Sequence, residues 1–462
     1  MQFISSDLTV QTGPAVSTAS DSESIVIQNG VTVKTTSSGD AVFGSHTSNY
    51  VVNDGDLYAS GIGVHFSATA ADGILSNGAG TTIFGSTGVS MEGARNLLTN
   101  GGAILGISDG VDVFGTDARV DNLEAGRIEG GLWGVWMNGT TGDLYNQGTI
   151  VGKYTGVVVG GYATKVVNDG FIVGSSSVGV SFQSDYGTLI NRGTISAAGA
   201  GVVVGAINTG AWIVNHGSMD SIDVKTNAGS FAVHIANTGE LEGVSVSGSG
   251  PIEVINHGVI NGSVAGLGAV DSVRNAGNIL GSVNLWNGDD SFNGRGGSVG
   301  GNIDGGGGND YLVAGNDDYV QGNTGADTII GRGSVDYLVG GAGGDLLKGG
   351  TGGDVFVFTA LSDSTIGVKG QDKISGFNHY YNGDYIDLSG IDANTTVNGH
   401  QEFTFIGTSA FTNAAGQLHV MASSTSLLLQ GDVNGDGVAD FQITILGLGS
   451  QATSFTDKEF IL

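Results

Sequence analysis

The sequence predicts an all-β fold: a parallel β-solenoid (β-helix) first, then a parallel β-roll, then a further β domain at the C-terminus. Three observations predict this fold. Glycine contributes 86 of the 462 residues and proline only 2, which suits many short strands joined by tight turns. An Asn-Gly pattern recurs throughout the first 284 residues, and a repeat of nine residues replaces it from residue 305. Such internal repeats are typical of solenoids.

The charge of the chain limits its partners. Lys and Arg number 15 and Asp and Glu 44, giving a net charge of −29. This charge argues against nucleic acid or an anionic membrane as a partner and favours bound cations. There is no cysteine, so disulfides and thiolate metal sites are excluded. No apolar run approaches the roughly 18 residues of a membrane span, so membrane insertion is not expected.

A recurring asparagine marks the N-terminal repeat, as in VVNDGDLY, LYNQGTIVG and LINRGTISA. It stands at positions 29, 53, 77, 100, 122, 146, 168, 191, 215, 237, 256 and 275. Repeats this short cannot bury an apolar face alone, so they should stack as coils of a parallel β-solenoid. We expect the asparagines to form an internal ladder, with ligand contacts as the alternative. The glycine that often follows two residues later should take a positive φ at the corner.

A second ladder with the same period lies between the asparagines, as in Gly63-Val64-His65-Phe66 and Gly179-Val180-Ser181-Phe182. Each segment predicts a strand whose valine, and the residue two later, face inward, so a repeat has at least two strands. The outward positions would form a contact patch for a partner, another copy or a glycan: His65, Ser90, Asp112, Trp136, Val158, Ser181 and Val203. This pattern resembles the right-handed β-helices of bacterial surface adhesins, autotransporter passengers and polysaccharide lyases, a likeness of architecture only.

One stretch of the solenoid is rich in charge. It contains Asp109, Asp112, Asp117, Arg119, Asp121, Glu124, Arg127 and Glu129, followed by Trp133 and Trp136. A carbohydrate lyase or epimerase would need acids, an arginine and an aromatic platform of this kind. Charges at strand edges also serve as a solvated face that prevents edge pairing. If the acids, Arg119 and the tryptophans converge in one groove, the enzyme is favoured. If they lie on several faces of the solenoid, a solvent-exposed charged surface is favoured.

The repeat of nine residues begins with GGGGNDYLV at 305–313 and continues to GGTGGDVFV at 349–357. Its acids are Asp310, Asp318, Asp327, Asp336, Asp345 and Asp354. Glycines let backbone carbonyls converge, each aspartate supplies a charged oxygen, and the apolar residue two later faces the core. Hard oxygen ligands without cysteine or clustered histidine select Ca²⁺. With two repeats per turn, Asp310, Asp327 and Asp345 should form one row and the other three a second row.

This pattern resembles the RTX nonapeptide GGxGxDxUx. The segments FVFTALSDST, QDKISGFNHYYNGDYIDLSGID and GDVNGDGVADFQITILG resemble the C-terminal domain of the serralysin metalloproteases, so the likeness covers residues 285–462. The closing DKEFIL is similar to the uncleaved signal read by type I secretion machinery, and MQFISSDLTVQTG lacks the features of an ordinary signal peptide. The resemblance implies a secreted, extracellular protein.

Further metal ligands are predicted after the roll. Asp432, Asn434, Asp436 and Asp440 stand at positions 1, 3, 5 and 9 of an EF-hand-like loop whose sixth residue is Gly437. Position 12 is Ile443, not the bidentate glutamate of an EF-hand. The family likeness adds three weaker ligand candidates, which are Asp363, Asp372 and Asp387.

The catalytic zinc motif of serralysins, HExxHxxGxxH, is absent, and no two histidines lie one helical turn apart. A zinc protease site therefore cannot be built, and no catalytic residue or organic cofactor is predicted.

The sequence therefore predicts four regions: an N-terminal cap (1–24), the solenoid (25–284), an RTX calcium-binding roll (285–358) and a serralysin-like domain with the secretion signal (359–462). The predicted function is a non-enzymatic surface, matrix or adhesion protein that folds on Ca²⁺ after export. Its expected partners are the type I secretion machinery and either other copies of itself or a cell-surface glycan. The alternative is a carbohydrate-active β-helix enzyme or a glycan-binding module.

Overall fold

The computed structural model describes residues 1–205, 210–227, 231–379, 383–449 and 451–462. The described residues are almost entirely β-strands and connecting turns, with two short 3₁₀ helices, which confirms the predicted all-β solenoid class. The chain divides into two compact units, Met1–Gly250 and Pro251–Leu462. The unit boundary falls inside the predicted solenoid, and the four predicted regions remain predictions. Within the described ranges, no helix is long and apolar enough to cross a membrane.

Each coil of the first unit has three strands, which stack in parallel on the next coil as three faces. The asparagine face contains Gln2–Ile4, Ser24–Ile27, Tyr50–Asn53, Ile74–Asn77, Leu97–Asn100, Arg119–Asn122, Asp143–Asn146, Lys165–Asn168, Thr188–Asn191, Trp212–Asn215 and Val233–Asn237. The middle face contains Leu8–Thr12, Thr32–Ser38, Asp56–Tyr58, Arg127–Gly130, Thr149–Gly152, Phe171–Gly174, Thr194–Ala197, Ser218–Met219 and Glu240–Leu241. The valine face contains Val16–Ser17, Val42–Gly44, Val64–Phe66, Trp133–Met137, Thr155–Val159, Val178–Phe182, Val202–Val204, Ile222–Val224 and Val244–Val246. Thr82–Met91 and Ala103–Val113 run through both the middle and the valine faces. The first coil consists of Gln2–Ile4, Leu8–Thr12 and Val16–Ser17.

The inward positions of the valine face form a continuous apolar core. Val64 and Phe66 are completely buried, as are Val180 and Phe182 five ladder segments further along. The strands stack residue on residue, with Val180 beside Val202 and Phe182 beside Val204. The predicted inward direction of these residues is confirmed.

The predicted asparagine ladder is also confirmed, from Asn53 to Asn237. Each asparagine Nδ2 donates to the Oδ1 of the asparagine in the next coil, over 2.7 to 2.8 Å. The second unit contains one such bond, from Asn256 to Asn275. Buried amides need partners, and the ladder supplies them without ligand contacts.

Asn29 is not part of the ladder, contrary to the prediction. It lies exposed in a turn, and the residue beside Asn53 on the preceding strand is Ile27. The Oδ1 atom of Asn53 is consequently buried without a hydrogen-bond partner.

The prediction of positive φ for the glycines two residues after the asparagines is wrong for most coils. Gly148, Gly170 and Gly193 all have ordinary negative or extended φ values. A Cβ atom at Gly170 would lie 2.1 Å from the carbonyl oxygen of Gly148, and one at Gly193 would lie 2.0 Å from that of Gly170. Glycine is therefore required by the close approach of successive coils and not by the backbone conformation.

The second unit changes from three strands per turn to two. Its first stack contains Ile252–Asn256, Ser272–Asn275, Ser291–Asn293, Tyr311–Val313, Thr328–Ile330, Leu346–Lys348 and Lys373–Ser375. Short middle strands at Val259–Ile260, Asn278–Ile279 and Ser298–Val299 end before the first nonapeptide at residue 305. The opposite stack contains Val264–Ala265, Val283–Asn284, Ile303–Gly307, Tyr319–Thr324, Tyr337–Ala342, Val355–Val357, Tyr385–Asp387 and Phe460–Ile461. Losing the middle strand shortens the turn to the two nonapeptides that the sequence predicts.

An antiparallel segment completes the second unit. Gln417–Ala422, Ser426–Asp432 and Phe441–Leu446 pair in that order, and the last strand joins the roll beside Lys373–Ser375. The short strand Thr404–Phe405 pairs with the first of them. Two 3₁₀ helices, Ala452–Ser454 and Asp457–Glu459, precede the final strand. The predicted secretion signal DKEFIL is therefore part of the folded unit, with Phe460 buried.

Candidate metal centre

The nonapeptide aspartates form the two rows that the sequence predicts. The first aspartate row consists of Asp271, Asp290, Asp310, Asp327, Asp345 and Asp372. The second aspartate row consists of Asp318, Asp336, Asp354 and Asp384. In both rows the backbone N–H of each aspartate donates to the Oδ1 atom of the next, over 2.7 to 3.0 Å. All ten side chains are buried.

The second carboxylate oxygen distinguishes the two rows. In the first row, the Oδ2 atom of every member is buried and has no hydrogen-bond partner. In the second row, the Oδ2 atoms of Asp318, Asp336 and Asp384 each accept a backbone N–H, and among its four members Oδ2 of Asp354 alone is buried without a partner. The first row therefore carries a continuous series of unsatisfied anionic oxygens, which is costly unless a cation is present.

The glycine turns leave room for these oxygens. The first residue of each turn lies five positions before its aspartate, and a Cβ atom on it would meet the carboxylate. At Gly322 this Cβ would lie 2.2 Å from Oδ2 of Asp327, and at Gly340 it would lie 2.4 Å from Oδ2 of Asp345. Gly325 and Gly343 have φ values of 138° and 155°, in the region that favours glycine. The repeat therefore needs glycine for two separate reasons, space and backbone conformation.

Burial controls the protonation of the rows. It raises the pKa of Asp327 and of Asp290 to about 7, and neighbouring aspartates add to the increase. The largest increase is at Asp372, whose pKa rises to about 9 through burial and repulsion by Asp345. Among the residues that the structure describes, no salt bridge reaches either row. The rows are thus stacks of carboxylates without a countercharge.

Ca²⁺ fits this arrangement. It prefers oxygen ligands and accepts mixtures of carboxylate and backbone carbonyl groups. Within the described ranges, no three acidic or histidine side chains converge on one point. An ion of the first row would therefore be held by its aspartates together with carbonyl groups of the glycine turns. The predicted ligands Asp310, Asp327 and Asp345 belong to this row.

The EF-hand-like loop differs from the rows. It joins Ser426–Asp432 to Phe441–Leu446, and both carboxylate oxygens of Asp432 accept backbone N–H groups within the loop. Asn434 donates to Asp440, and Asp436 accepts the N–H of Val438. The loop thus satisfies its own acids, and the aspartate rows are the better fit for calcium.

Three members of the rows were not predicted as ligands from the sequence. Two residues that were predicted as ligands, Asp363 and Asp387, belong to neither row. Asp271, Asp290 and Asp384 were outside the predicted ligand set, although Asp271 and Asp290 are separated by 19 residues, one turn of the coil. Asp372 does join the first row, as the family likeness suggested. Asp363 instead closes a turn by accepting the N–H groups of Thr359 and Ala360. Asp387 accepts the N–H and hydroxyl of Ser389.

The charged stretch of the first unit is divided among its faces. Arg119 pairs with Asp121 on the asparagine face, and Arg127 pairs with Glu129 on the middle face. Asp117 lies at the corner between coils, where its carboxylate accepts the Thr141 hydroxyl. The arginine that an enzyme would need is therefore on a different face from the tryptophans.

Four residues of that stretch do meet, on the valine face. Asp109 lies beside Trp133 and Asp112 beside Trp136 on adjacent strands, and the two indole rings are 4.7 Å apart. Oδ1 of Asp112 is buried without a partner, and burial followed by repulsion from Asp109 raises the pKa of Asp112 to about 7. Val158, predicted as part of an outward patch, is only 2% exposed.

Fold and site together define a class of protein: a parallel β-roll whose glycine turns carry two rows of buried aspartates. Residues 295–457 match the family model described as Peptidase M10 serralysin C terminal. This match confirms that the C-terminal part of the chain is an RTX-type domain of the serralysin kind.

No curated protein sequence matches the chain significantly. Two solved structures resemble part of it: the AlgE6R2 and AlgE6R3 subunits of the mannuronan C5-epimerase of Azotobacter vinelandii. AlgE6R2 is 24% identical over 34% of this chain and 88% of its own, with a TM-score of 0.24. AlgE6R3 is 25% identical over 33% of this chain and 78% of its own, with a TM-score of 0.25. Likenesses at these scores say nothing about the activity of this chain.

Without calcium, acid should stabilise the second unit. The row aspartates have a folded-state pKa above the unfolded value of 3.8, for example about 6 for Asp345 and about 7 for Asp327. The folded state therefore binds protons more tightly, so the stability is fully present below about pH 4 and is lost as the pH rises towards 7. In EGTA, hydrogen exchange over residues 271–384 should be slower at pH 5 than at pH 8, after correction for the intrinsic exchange rate.

The asparagine ladder of the first unit, which contains no titrating group, is the internal reference for this measurement. Saturating Ca²⁺ should reduce the pH effect in the rows, because the cation replaces the proton. Protection that increased from pH 5 to pH 8 in EGTA would contradict the assignment.

Proposed function

We propose that this chain is a secreted, calcium-binding RTX protein without enzymatic activity, whose solenoid makes contacts at a cell surface or between copies. The observation that carries the calcium part is the first aspartate row, in which six buried Oδ2 atoms have no partner. At low cytosolic Ca²⁺ the carboxylates repel one another and the roll is unfolded. Outside the cell, millimolar Ca²⁺ exceeds the roughly 10⁻⁴ to 10⁻³ M dissociation constant of extracellular modules, and the roll folds.

The position of the secretion signal supports folding after export. Phe460 is buried and packs against Phe455 and Phe405, with ring centroids 6.2 and 5.0 Å away. Phe460 and Ile461 also pair with the strand Tyr385–Asp387. A signal held in this way is accessible to type I secretion machinery only while the second unit is unfolded. Folding on Ca²⁺ outside the cell would then prevent the exported chain from moving back.

The contact role of the solenoid rests on its exposed aromatic side chains. Tyr154, Tyr162, Phe171 and Tyr186 are between 47% and 56% exposed. Aromatic residues are enriched at interfaces, and Tyr162 and Tyr186 lie in contact, with ring centroids 5.1 Å apart. These residues support a partner surface in the first unit better than the outward valine positions do.

Calcium titration of the full-length protein tests this proposal. We expect circular dichroism to show a gain of β structure between EGTA and about 5 mM Ca²⁺. Hydrogen exchange should place the gain in residues 271–462, with the first unit protected in both states. Mg²⁺ at the same concentration is the control and should not substitute. Equal protection of the second unit in EGTA and in Ca²⁺ would exclude calcium-driven folding.

The contact role needs its own test. Electron microscopy of the calcium-loaded protein should show arrays or filaments if copies associate, and a glycan array should show binding if the partner is a cell-surface glycan. A monodisperse protein that binds neither glycans nor cells would refute this part and leave the calcium part intact.

A carbohydrate-active enzyme is the second candidate function. The meeting of Asp109 and Asp112 with Trp133 and Trp136 supports it, because carboxylates beside indole rings suit a sugar. The separation of Arg119 from these residues counts against a lyase that uses this arginine. Release of new reducing ends from a polysaccharide library would identify such an activity.

A further inference from the structure

A pocket of about 430 Å³ opens on the outer side of the second unit. Its walls include Ile255, His257, Arg274, Ala276, Asn293 and Arg295. All six lie on or just beyond the strands that start the first stack of this unit, before the nonapeptide turns begin. The pocket is separate from the aspartate rows, none of whose members lines it.

Strand register explains the layout of the pocket. Arg274 lies between Ile255 on the preceding strand and Asn293 on the following one. His257, Ala276 and Arg295 each come two residues later in the same three coils. Ala276 therefore stands between His257 and Arg295, and its small side chain leaves a gap between them. Arg274 borders the gap from the side.

Within the described residues, the two pocket arginines lack acidic partners, as does Arg332 among the seven arginines of the chain. Four other arginines each pair with an acid: Arg95, Arg119, Arg127 and Arg192. Neither Arg274 nor Arg295 makes a side-chain hydrogen bond or salt bridge to the described residues. The chain has 44 acidic residues against 15 Lys and Arg. Two neighbouring guanidinium groups without an acid therefore form a local positive site on a negative protein.

We propose that this pocket binds an oxyanion group, carboxylate or sulfate, carried by an acidic polysaccharide. Guanidinium groups bind planar oxyanions through paired hydrogen bonds, and His257 and Asn293 add polar groups at the edge. The site goes beyond the calcium and contact roles proposed above, and it does not depend on them.

Two features point to a sugar carrying the anion and not to a free ion. A pocket of about 430 Å³ lies in the size range of sites for organic ligands, so the group would enter with part of its ring. Ile255 supplies an apolar wall for the C–H face of that ring. The outer side of a strand stack is also open along its length, which allows a polymer to continue past the pocket.

Calorimetric titration of the full-length protein in Ca²⁺ tests the proposal with three probes: oligogalacturonate, dextran sulfate and unmodified dextran. We expect binding of at least one charged probe and none of neutral dextran. Changing both Arg274→Gln and Arg295→Gln should weaken binding by about ten- to hundredfold, the loss expected for charge-assisted hydrogen bonds. Arg127→Gln together with Arg192→Gln, which removes the same charge elsewhere, should leave binding unchanged.

A second variant tests the gap itself. Ala276→Leu keeps the charge but fills the space beside Arg274, so it should also weaken binding of the charged probe. Circular dichroism in Ca²⁺ confirms that each variant is folded, which separates this result from a failure of calcium-driven folding. Equal loss in the control pair, equal binding of neutral dextran or unchanged binding by Ala276→Leu would overturn the proposal. Inorganic sulfate that binds as tightly as the polymers would overturn its polysaccharide part.

Discussion

Asn146→Ala should lower the free energy of unfolding of the first unit by about 4 kcal/mol. The side chain is 1% exposed, and its Nδ2 donates to Oδ1 of Asn168 over 2.7 Å and to the carbonyl oxygens of Phe171 and Gly148 over 3.1 and 3.2 Å. Its Oδ1 accepts from Asn122 over 2.7 Å. Alanine leaves Oδ1 of Asn168 without this donor and Nδ2 of Asn122 with only its longer bonds to the carbonyl oxygens of Gly126 and Thr149. Each buried polar group that loses its partner costs about 1 to 3 kcal/mol. Urea unfolding followed by hydrogen exchange in residues 100–191 measures the effect.

Asn29→Ala is the matched control. Asn29 belongs to the same sequence pattern but lies exposed in a turn, so its replacement should change the stability by less than about 0.5 kcal/mol. Similar losses for the two variants would show that the ladder bonds do not stabilise the solenoid.

Asp327→Asn should raise the Ca²⁺ concentration needed to fold the second unit by about tenfold or more. The substitution removes a charged oxygen from the first row, and the affinity of calcium sites depends on the number of charged ligands. In EGTA the same variant should be more stable than the parent, because it removes a buried carboxylate whose pKa is raised to about 7. Opposite effects in the two conditions identify a metal ligand, since a purely structural residue would lose stability in both. Calcium titrations, and titrations in EGTA with an osmolyte that favours the folded state, measure them by circular dichroism.

Glu402→Gln removes one charge from an exposed position of the same unit and is the control. It should leave the calcium midpoint within about twofold. If Asp327→Asn behaved like this control, the first row would not be a calcium site.

Regular spacing made the fold and most of the rows predictable. The ladder asparagines and the nonapeptide aspartates recur at nearly constant intervals, so a constant number of residues per coil places them in line. Asp384 follows Asp354 by 30 residues, because an irregular segment is inserted into that turn. A search for constant spacing could not find it, although its side chain bonds the row in the same way.

The arrangement of the charged stretch, in contrast, could not be predicted from spacing along the sequence. Arg119 and Trp133 are near in sequence, but the chain passes two corners between them and leaves them on different faces. The three-strand cross-section decides which residues meet, and the sequence indicated only that a coil has at least two strands. The prediction of positive φ for the glycines failed for a related reason. Gly170 is required because the carbonyl oxygen of Gly148 in the previous coil leaves no room for a side chain, and this contact cannot be read from the local sequence.

The asparagine ladder also has a direction. From Asn53 to Asn237, every amide donates towards the C-terminal coil, so the amide dipoles add head to tail and polarise one another. The sum leaves partial negative charge at Asn53, whose Oδ1 has no donor. The ladder therefore has a negative and a positive end along the axis of the first unit although the coils are nearly alike, and its negative end is buried beneath the first two coils.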